Sequence, residues 1–439
     1  MKNLWPFLSL LVSLLVLTSC SSSKKLTRQL NETFENSATL ENGFHGFMVY
    51  DPHQKEVVYQ HNSDKYFTPA SNTKLFTFYT GLKLLGDSIP GIRYIRQGDS
   101  LFFWGTGDPS FLHEDFSHSP VLEFLREQEE HLVYVPANYQ EKHFGPGWAW
   151  GDYNWYYSPE RGAFPVYGNY VSISLTPHDT VPKAFPDYFH RLMEPGEAFP
   201  GQGSGVMRDL KTNRFVYKVN PEGRARVQIV PFVYSEFLAI ELLKDTLSRE
   251  ITMKSQVPEI LNPTGTIYSV PADSLYKPML QRSDNFFAEQ LLLLSSEAIS
   301  DSLKADIAIN YMKEHFLKDL PDEPQWRDGS GLSRYNLFTP RTMVSLLEKI
   351  QNEIPQERLF QLLPAGGVSG TLKHWYGGEE PYVFAKTGTL NNNHSLSGYL
   401  KTKSGKVFIF SFMNSNYLSS TSDVKREMER MLRAIHELY

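Results

Sequence analysis

The chain has 439 residues, 41% of them hydrophobic and 21% charged, which suits a globular protein of two or three domains with a large core. A formal charge of -6 gives no electrostatic basis for a nucleic-acid partner. The single cysteine, Cys20, excludes an intrachain disulfide. The absence of a zinc-type Cys/His cluster, a Walker-type glycine loop and a dinucleotide fingerprint leaves no metal or cofactor to expect.

The chain opens with the weakly basic Met1-Lys2-Asn3 and a largely apolar run from Leu4 to Leu17. That run is too short to span a bilayer comfortably and right for a signal-peptide core. Leu17-Thr18-Ser19-Cys20 resembles the lipobox of bacterial lipoproteins, so residues 1–19 are expected to be cleaved and Cys20 acylated. The alternative is a plain secretory signal with an incidental cysteine. Residues 20–40, polar and led by three serines, are expected to be a tether.

Gly43 to Tyr50 and Glu56 to Gln60 read as two strands joined by the turn Asp51-Pro52-His53-Gln54. They lead into Pro69-Ala70-Ser71-Asn72-Thr73-Lys74, where Ser71 reads as a helix N-cap. Beyond it Leu75, Phe78, Tyr79, Leu82 and Leu85 recur at helical spacing, with Gly86 as a stop. On such a helix Ser71 and Lys74 share a face, which gives a hydroxyl nucleophile an amine as its base. Ser-x-x-Lys alone is weak, since it recurs at Ser21/Lys24, Ser22/Lys25 and Ser274/Lys277.

From 87 to 270 many short apolar runs are broken by Gly, Pro and Asn, as at Val133-Tyr134-Val135, 171–175 and 226–230. This predicts a mostly β region of one or two lobes, inserted between the two parts of another domain, 41–86 and 271–439. Inside it, Gly145 to Tyr157 carries three tryptophans and three tyrosines with one acid, Asp152. Such a stretch is either a packed cluster or the wall of a ligand cleft. From Ser274 the pattern turns helical, with an apolar helix from Phe286 to Ser295 and another at 340–351. Asp328 to Arg334 is a glycine-rich loop that reads as structural rather than catalytic. Tyr382 to Leu390, Leu396 to Lys401 and Val407 to Met413 read as strands, and Thr421 to Leu438 as an amphipathic helix. The ends of the chain thus alternate strands and helices around the inserted middle, an α+β organisation.

Three motifs stand in one order: Ser71-x-x-Lys74, Ser283-Asp284-Asn285 and Lys386-Thr387-Gly388. Each alone also fits a bland role, as a helix cap or a strand end with a bulge glycine. Together they are the set of β-lactamases and penicillin-binding proteins. With Gly105 to Pro109, Gly147 to Asp152, Asp328 to Arg334 and Gly370 to Leu372 in the expected order, the chain resembles the D-Ala-D-Ala carboxypeptidase/endopeptidases of peptidase family S13. The resemblance runs from about Gly43 to Tyr439. Ser71 to Ser283 is a far longer interval than Ser283 to Lys386, and a compact β-lactamase has no room for inserted domains there.

The resemblance implies a β-lactamase/transpeptidase-like fold and a serine DD-peptidase acting on peptidoglycan stem peptides. It implies acylation by β-lactam antibiotics, and with the lipobox at Cys20 the expected place is the cell envelope, lipid-anchored and facing the periplasm of a Gram-negative bacterium. It makes Ser71 the nucleophile, Lys74 its base, Ser283 a proton relay and Asn285 a support for Lys74 and the substrate backbone. Lys386 would lower the pKa of Lys74 by like-charge repulsion, with burial adding to it. Lys386, Thr387 and Thr389 would meet the substrate carboxylate beside Gly388, and the backbone N–H groups of Ser71 and Thr389 would bind the oxyanion. Asp152, with Tyr157, would meet the ammonium of diaminopimelate, against a plain turn-capping role for that acid. The other readings are a serine β-lactamase and a non-catalytic penicillin-binding lipoprotein.

Overall fold

The computed structural model describes residues 24–136, 138–196, 203–254 and 265–439. The expected signal peptide and the expected lipidation site, Cys20, lie outside the described residues.

The central layer is a five-stranded antiparallel sheet in the spatial order Val383–Leu390, Asn393–Lys401, Val407–Ser415, Phe44–Asp51, Glu56–His61. Strand side chains alternate between faces, and here both faces are apolar. Phe408, Phe410 and Phe412 pack with Phe47 and Val49 against Val424, Met428, Leu432 and Ile435 of helix Thr421–Leu438. Ile409 and Met413 point the other way, into a core built with helices Lys74–Leu84, Asp273–Gln281, Asn285–Ser300 and Pro340–Glu353. A sheet covered by helices on both faces explains the nearly continuous apolar runs of its strands. The α+β expectation holds.

Two local expectations are corrected. The stretch read as a tether is helical over 24–36, and Leu26 and Leu30 are buried in the same core as Phe412 and Leu432. Its polar residues are the solvent side of an amphipathic helix. Ser71 does not cap a helix: Ala70–Thr73 form a 3-10 turn without a side-chain cap, and the α-helix begins at Lys74 and ends at Leu84. The Asp51 turn is as expected, its Oδ1 accepting from the backbone N–H of His53 and Gln54 at 2.9 and 3.0 Å.

Between Ser88 and Pro271 the described residues form three sheets. One has five strands, with Ser100–Gly105 at its centre, and two have three. Helices Pro120–Glu127 and Glu236–Leu247 pack with these sheets in a second core around Phe103, Tyr134, Phe164 and Phe232. This region meets the catalytic half through Arg161, whose guanidinium lies 3.3 Å from Glu289, both fully buried. It also meets it through Gln290, whose amide donates to Gly107 O and Gly162 O at 2.7 and 2.9 Å.

Candidate active site

Ser71 sits in a turn held from two sides by close backbone contact. A Cβ at Gly388 would fall 2.4 Å from Pro69 O and 2.9 Å from the backbone nitrogens of Ser71 and Asn72. A Cβ at Gly331 would fall 1.9 Å from Ala70 O, at a φ of +84°. Only glycine lets strand and loop press this closely on the turn. Asn72 Nδ2 donates to Lys386 O at 2.9 Å, fastening the turn to the strand. Ala70 and Ser283 both lie in the left-handed region, at φ 49° and 63°. Such strained backbone persists where surrounding contacts over-determine it.

Lys74 is fully buried beneath Ser71. Its Nζ lies 3.0 Å from Ser71 Oγ, 2.6 Å from Asn285 Oδ1 and 2.7 Å from Ser330 O. The last two atoms can only accept, and Asn285 is oriented by its own Nδ2 donating to Tyr157 O at 2.8 Å. A neutral amine can give one N–H to each and turn its lone pair to the Ser71 hydroxyl. Burial pushes Lys74 down to about 8, against the opposing pull of Asp328, Glu289 and Asp284. Desolvation, expected only as an addition, is the dominant cause at Lys74. The expected repulsion between the two amines acts on both, and burial and then this repulsion hold Lys386 well below the ordinary lysine value.

Lys386 Nζ donates to Ser283 Oγ and to Thr387 O, each at 2.8 Å. Three motifs far apart in sequence thus meet: Ser71 with Lys74, Lys74 with Asn285, and Ser283 with Lys386. They border a cleft of about 1010 Å³ whose walls include Ser71, Ser283, Asn285, Asp152, Tyr157 and Thr389. Lys74 and Lys386 lie beneath this wall rather than on it. Thr387 is not on it either, since it is buried and its hydroxyl donates to Thr371 Oγ1 at 2.7 Å. Of the motif's hydroxyls, Thr389 is the one that faces the cleft.

The loop Asp328 to Arg334 supports the Lys74 amine. Asp328 Oδ1 accepts from Gly331 N and Asn336 Nδ2 at 2.9 and 2.7 Å, and Oδ2 from Ser333 N and Trp148 Nε1 at 2.7 and 2.9 Å. Glu289 Oε1 accepts from Ser330 N at 2.7 Å. These bonds aim the Ser330 carbonyl at Lys74. Sequence reasoning missed that carbonyl, because a backbone atom leaves no motif, and it missed Glu289. A signal for Glu289 existed: it stands one helical turn after Asn285, on the same face, amid leucines and phenylalanines.

The aromatic stretch is both things at once. Trp148 is tied to Asp328, while Trp150, Trp155 and Tyr156 are 82%, 54% and 65% exposed. Asp152 borders the cleft and accepts from the Tyr157 hydroxyl at 3.1 Å. Burial, and then Asp152, raise Tyr157 to about 12.

Among the described residues no group of three His, Cys, Asp or Glu is placed to hold a metal. No helix of those residues is long and apolar enough to cross a membrane.

The family model of the D-Ala-D-Ala carboxypeptidase 3 (S13) family matches residues 26–438. The D-alanyl-D-alanine carboxypeptidase DacB of Haemophilus influenzae is 26% identical over an alignment 445 positions long, gaps included, that covers 88% of each chain. The D-alanyl-D-alanine carboxypeptidase of an Actinomadura species is 25% identical, over 90% of this chain and 81% of the relative. The crystal structure of penicillin-binding protein 4 from Haemophilus influenzae shares the fold. Its TM-score is 0.74 at 20% identity, over 92% of this chain and 98% of that one.

Proposed function

The chain belongs to the D-Ala-D-Ala carboxypeptidase 3 (S13) family and is a serine DD-peptidase; from that premise we propose how its residues divide the reaction. Ser71 Oγ attacks the carbonyl between the two terminal D-alanines of a peptidoglycan stem peptide. Its proton passes to Lys74 Nζ, whose two N–H bonds are already taken by Asn285 and Ser330. The bond to the terminal D-alanine breaks, and its nitrogen takes a proton relayed through Ser283 Oγ. Water then attacks the acyl-serine and gives a proton to Lys74, which hands it to Ser71 Oγ as the ester bond breaks and the acid product leaves. Backbone N–H groups of Ser71 and Thr389 hold the oxyanion, each donor of this kind being worth about 2.7–4 kcal/mol. The terminal carboxylate meets the Thr389 hydroxyl with the Lys386 amine behind it. An anion there favours the protonated form of Lys386, offsetting the burial that depresses it.

The observation that carries this reading is the Lys74 amine shared between Ser71, Asn285 and Ser330. β-Lactams, which mimic the acyl donor, acylate the same serine. The cleft of about 1010 Å³ also suits a cross-linked stem, and Asp152 suits the ammonium of diaminopimelate within it. The enzyme works at the cell wall. Acyl chains on Cys20 anchor it in the envelope, facing the periplasm, and Cys20→Ala should move the protein from the membrane to the soluble fraction. The central test is mass spectrometry of muropeptide digests with wild type and Ser71→Ala, alongside labelling by a fluorescent penicillin. Loss of terminal D-alanine or of cross-links only with wild type is the expected result. Retained labelling of Ser71→Ala would remove that serine from the mechanism.

A further inference from the structure

We propose that His394 is a positioning residue, whose imidazole holds the Thr389 hydroxyl so that its proton points into the cleft toward the free carboxylate of the substrate. The inference rests on the peptidase reading above and extends it to a residue outside the three motifs.

Thr389 and His394 are directly opposite in the strand pair, and Thr389 Oγ1 lies 2.8 Å from His394 Nδ1. Thr389 is on the cleft wall, whereas His394 is only 1% exposed. The other ring nitrogen, Nε2, is buried without a hydrogen-bond partner. A neutral imidazole carries one N–H. Placed on Nε2, that N–H would be stranded in the interior. Placed on Nδ1, it donates to Thr389 Oγ1 and leaves only a bare acceptor. Stranded buried N–H groups are the rarer of the two, so the proton belongs on Nδ1. Burial, with Lys425 and Lys386 nearby, holds the ring down at about 3, so it stays neutral at physiological pH.

With Nδ1–H donating to its oxygen, Thr389 cannot give its own proton to the ring. That proton is left for an anion in the cleft, and the Oγ1 that carries it is polarised by the bond it accepts. The backbone under His394 is anchored too. Asn414 Nδ2 donates to His394 O at 3.0 Å, and Asn414 Oδ1 is 2.6 Å from His45 Nδ1. Since Thr387 is committed to Thr371, no second hydroxyl of the motif substitutes for Thr389.

The test uses two acyl-D-alanyl thioesters, one releasing thioglycolate and the other its amide, so that only the first presents a carboxylate. His394→Leu should lower kcat/KM on the carboxylate thioester about tenfold and change the amide less than about twofold. His394→Asn, whose side-chain N–H falls near the position of Nδ1, should restore most of the loss. Thr389→Val should reproduce the selective loss, and combining it with His394→Leu should add nothing further. Turnover of the amide thioester shows that each variant is folded. Equal losses on both substrates, no loss, or failure of His394→Asn to rescue would overturn the role of His394 alone. A wild type that cleaves neither thioester would sink the peptidase reading, and this proposal with it.

Discussion

Asn285 joins the buried amine to the aromatic wall: its Oδ1 is 2.6 Å from Lys74 Nζ, and its Nδ2 donates to Tyr157 O at 2.8 Å. One side chain therefore sets the position of the base and of the segment that carries Asp152. Asn285→Ala should slow acylation by penicillin about tenfold to a hundredfold, in line with about 1.5–3 kcal/mol for a hydrogen bond to a charge-bearing group. Stopped-flow labelling measures it, and an unchanged rate would detach Asn285 from Lys74 in function. Lys74→Ala should do worse, by about a hundredfold to ten-thousandfold, the usual range for losing a general base.

The pH dependence follows from the same lysine. It acts as a base only when neutral, and burial brings it down to about 8. The acylation rate should therefore rise about tenfold per pH unit below that value and level off above it. For stability the sign is also upward. The unfolded lysine, near 10.5, binds a proton that the folded one has lost, so between about 8 and 10.5 raising the pH relieves its burial. Below about 8 the full penalty stands. A rate that stays flat below about 8 would exclude Lys74 as the proton acceptor.

Asp152→Ala should weaken stem peptides bearing a free diaminopimelate ammonium by about tenfold, the worth of a charge-assisted hydrogen bond. Simple diacyl-D-Ala-D-Ala should be nearly unaffected. Comparison of kcat/KM on the two substrates decides it, and equal losses would reduce Asp152 to a partner of the Tyr157 hydroxyl.

Gly331→Ala should disable the site without touching any reacting atom. The new Cβ would overlap Ala70 O and occupy a left-handed backbone, so the turn bearing Ser71 must shift. Overpacking of this kind costs about 1–3 kcal/mol in stability. Penicillin labelling should fall more than the thermal midpoint does, and normal labelling would show that the turn yields freely.

Arg161→Met leaves the Glu289 carboxylate buried beside Asp328 without its cation. Breaking a buried pair from one side costs about 3–5 kcal/mol. Adding Glu289→Gln should recover part of that loss in urea denaturation, since an amide needs no counter-charge. Additive losses would mean that the pair does not act as a unit.

The motifs were readable because their chemistry is carried by side chains at fixed spacing in the chain. Strands such as Val407–Ser415 were readable because their apolar runs outlast any turn signal. What escaped depended on contacts across the fold. The helix at 24–36 is polar enough to pass for a tether, and only packing against the sheet reveals Leu26 and Leu30 as its buried stripe. Helices Pro120–Glu127 and Glu236–Leu247 hid inside a stretch whose Gly, Pro and Asn punctuation spoke for strands. Ser71 looked like a cap because serine usually is one there; the Gly388 and Gly331 contacts hold its turn in a different shape. The weight of burial in the low Lys74 value was underestimated for a similar reason, since the depth of a side chain has no signature in the letters around it.

The order of the central sheet has a consequence for biogenesis. Phe44–Asp51 pairs with Val407–Ser415, made some 360 residues later in the chain, so an emerging polypeptide cannot close the layer that braces its nucleophile until almost all of it has been synthesised. A prematurely terminated or C-terminally clipped chain would present an open strand edge instead of a working hydrolase. Peptidase activity is thereby withheld until synthesis of the chain is nearly done.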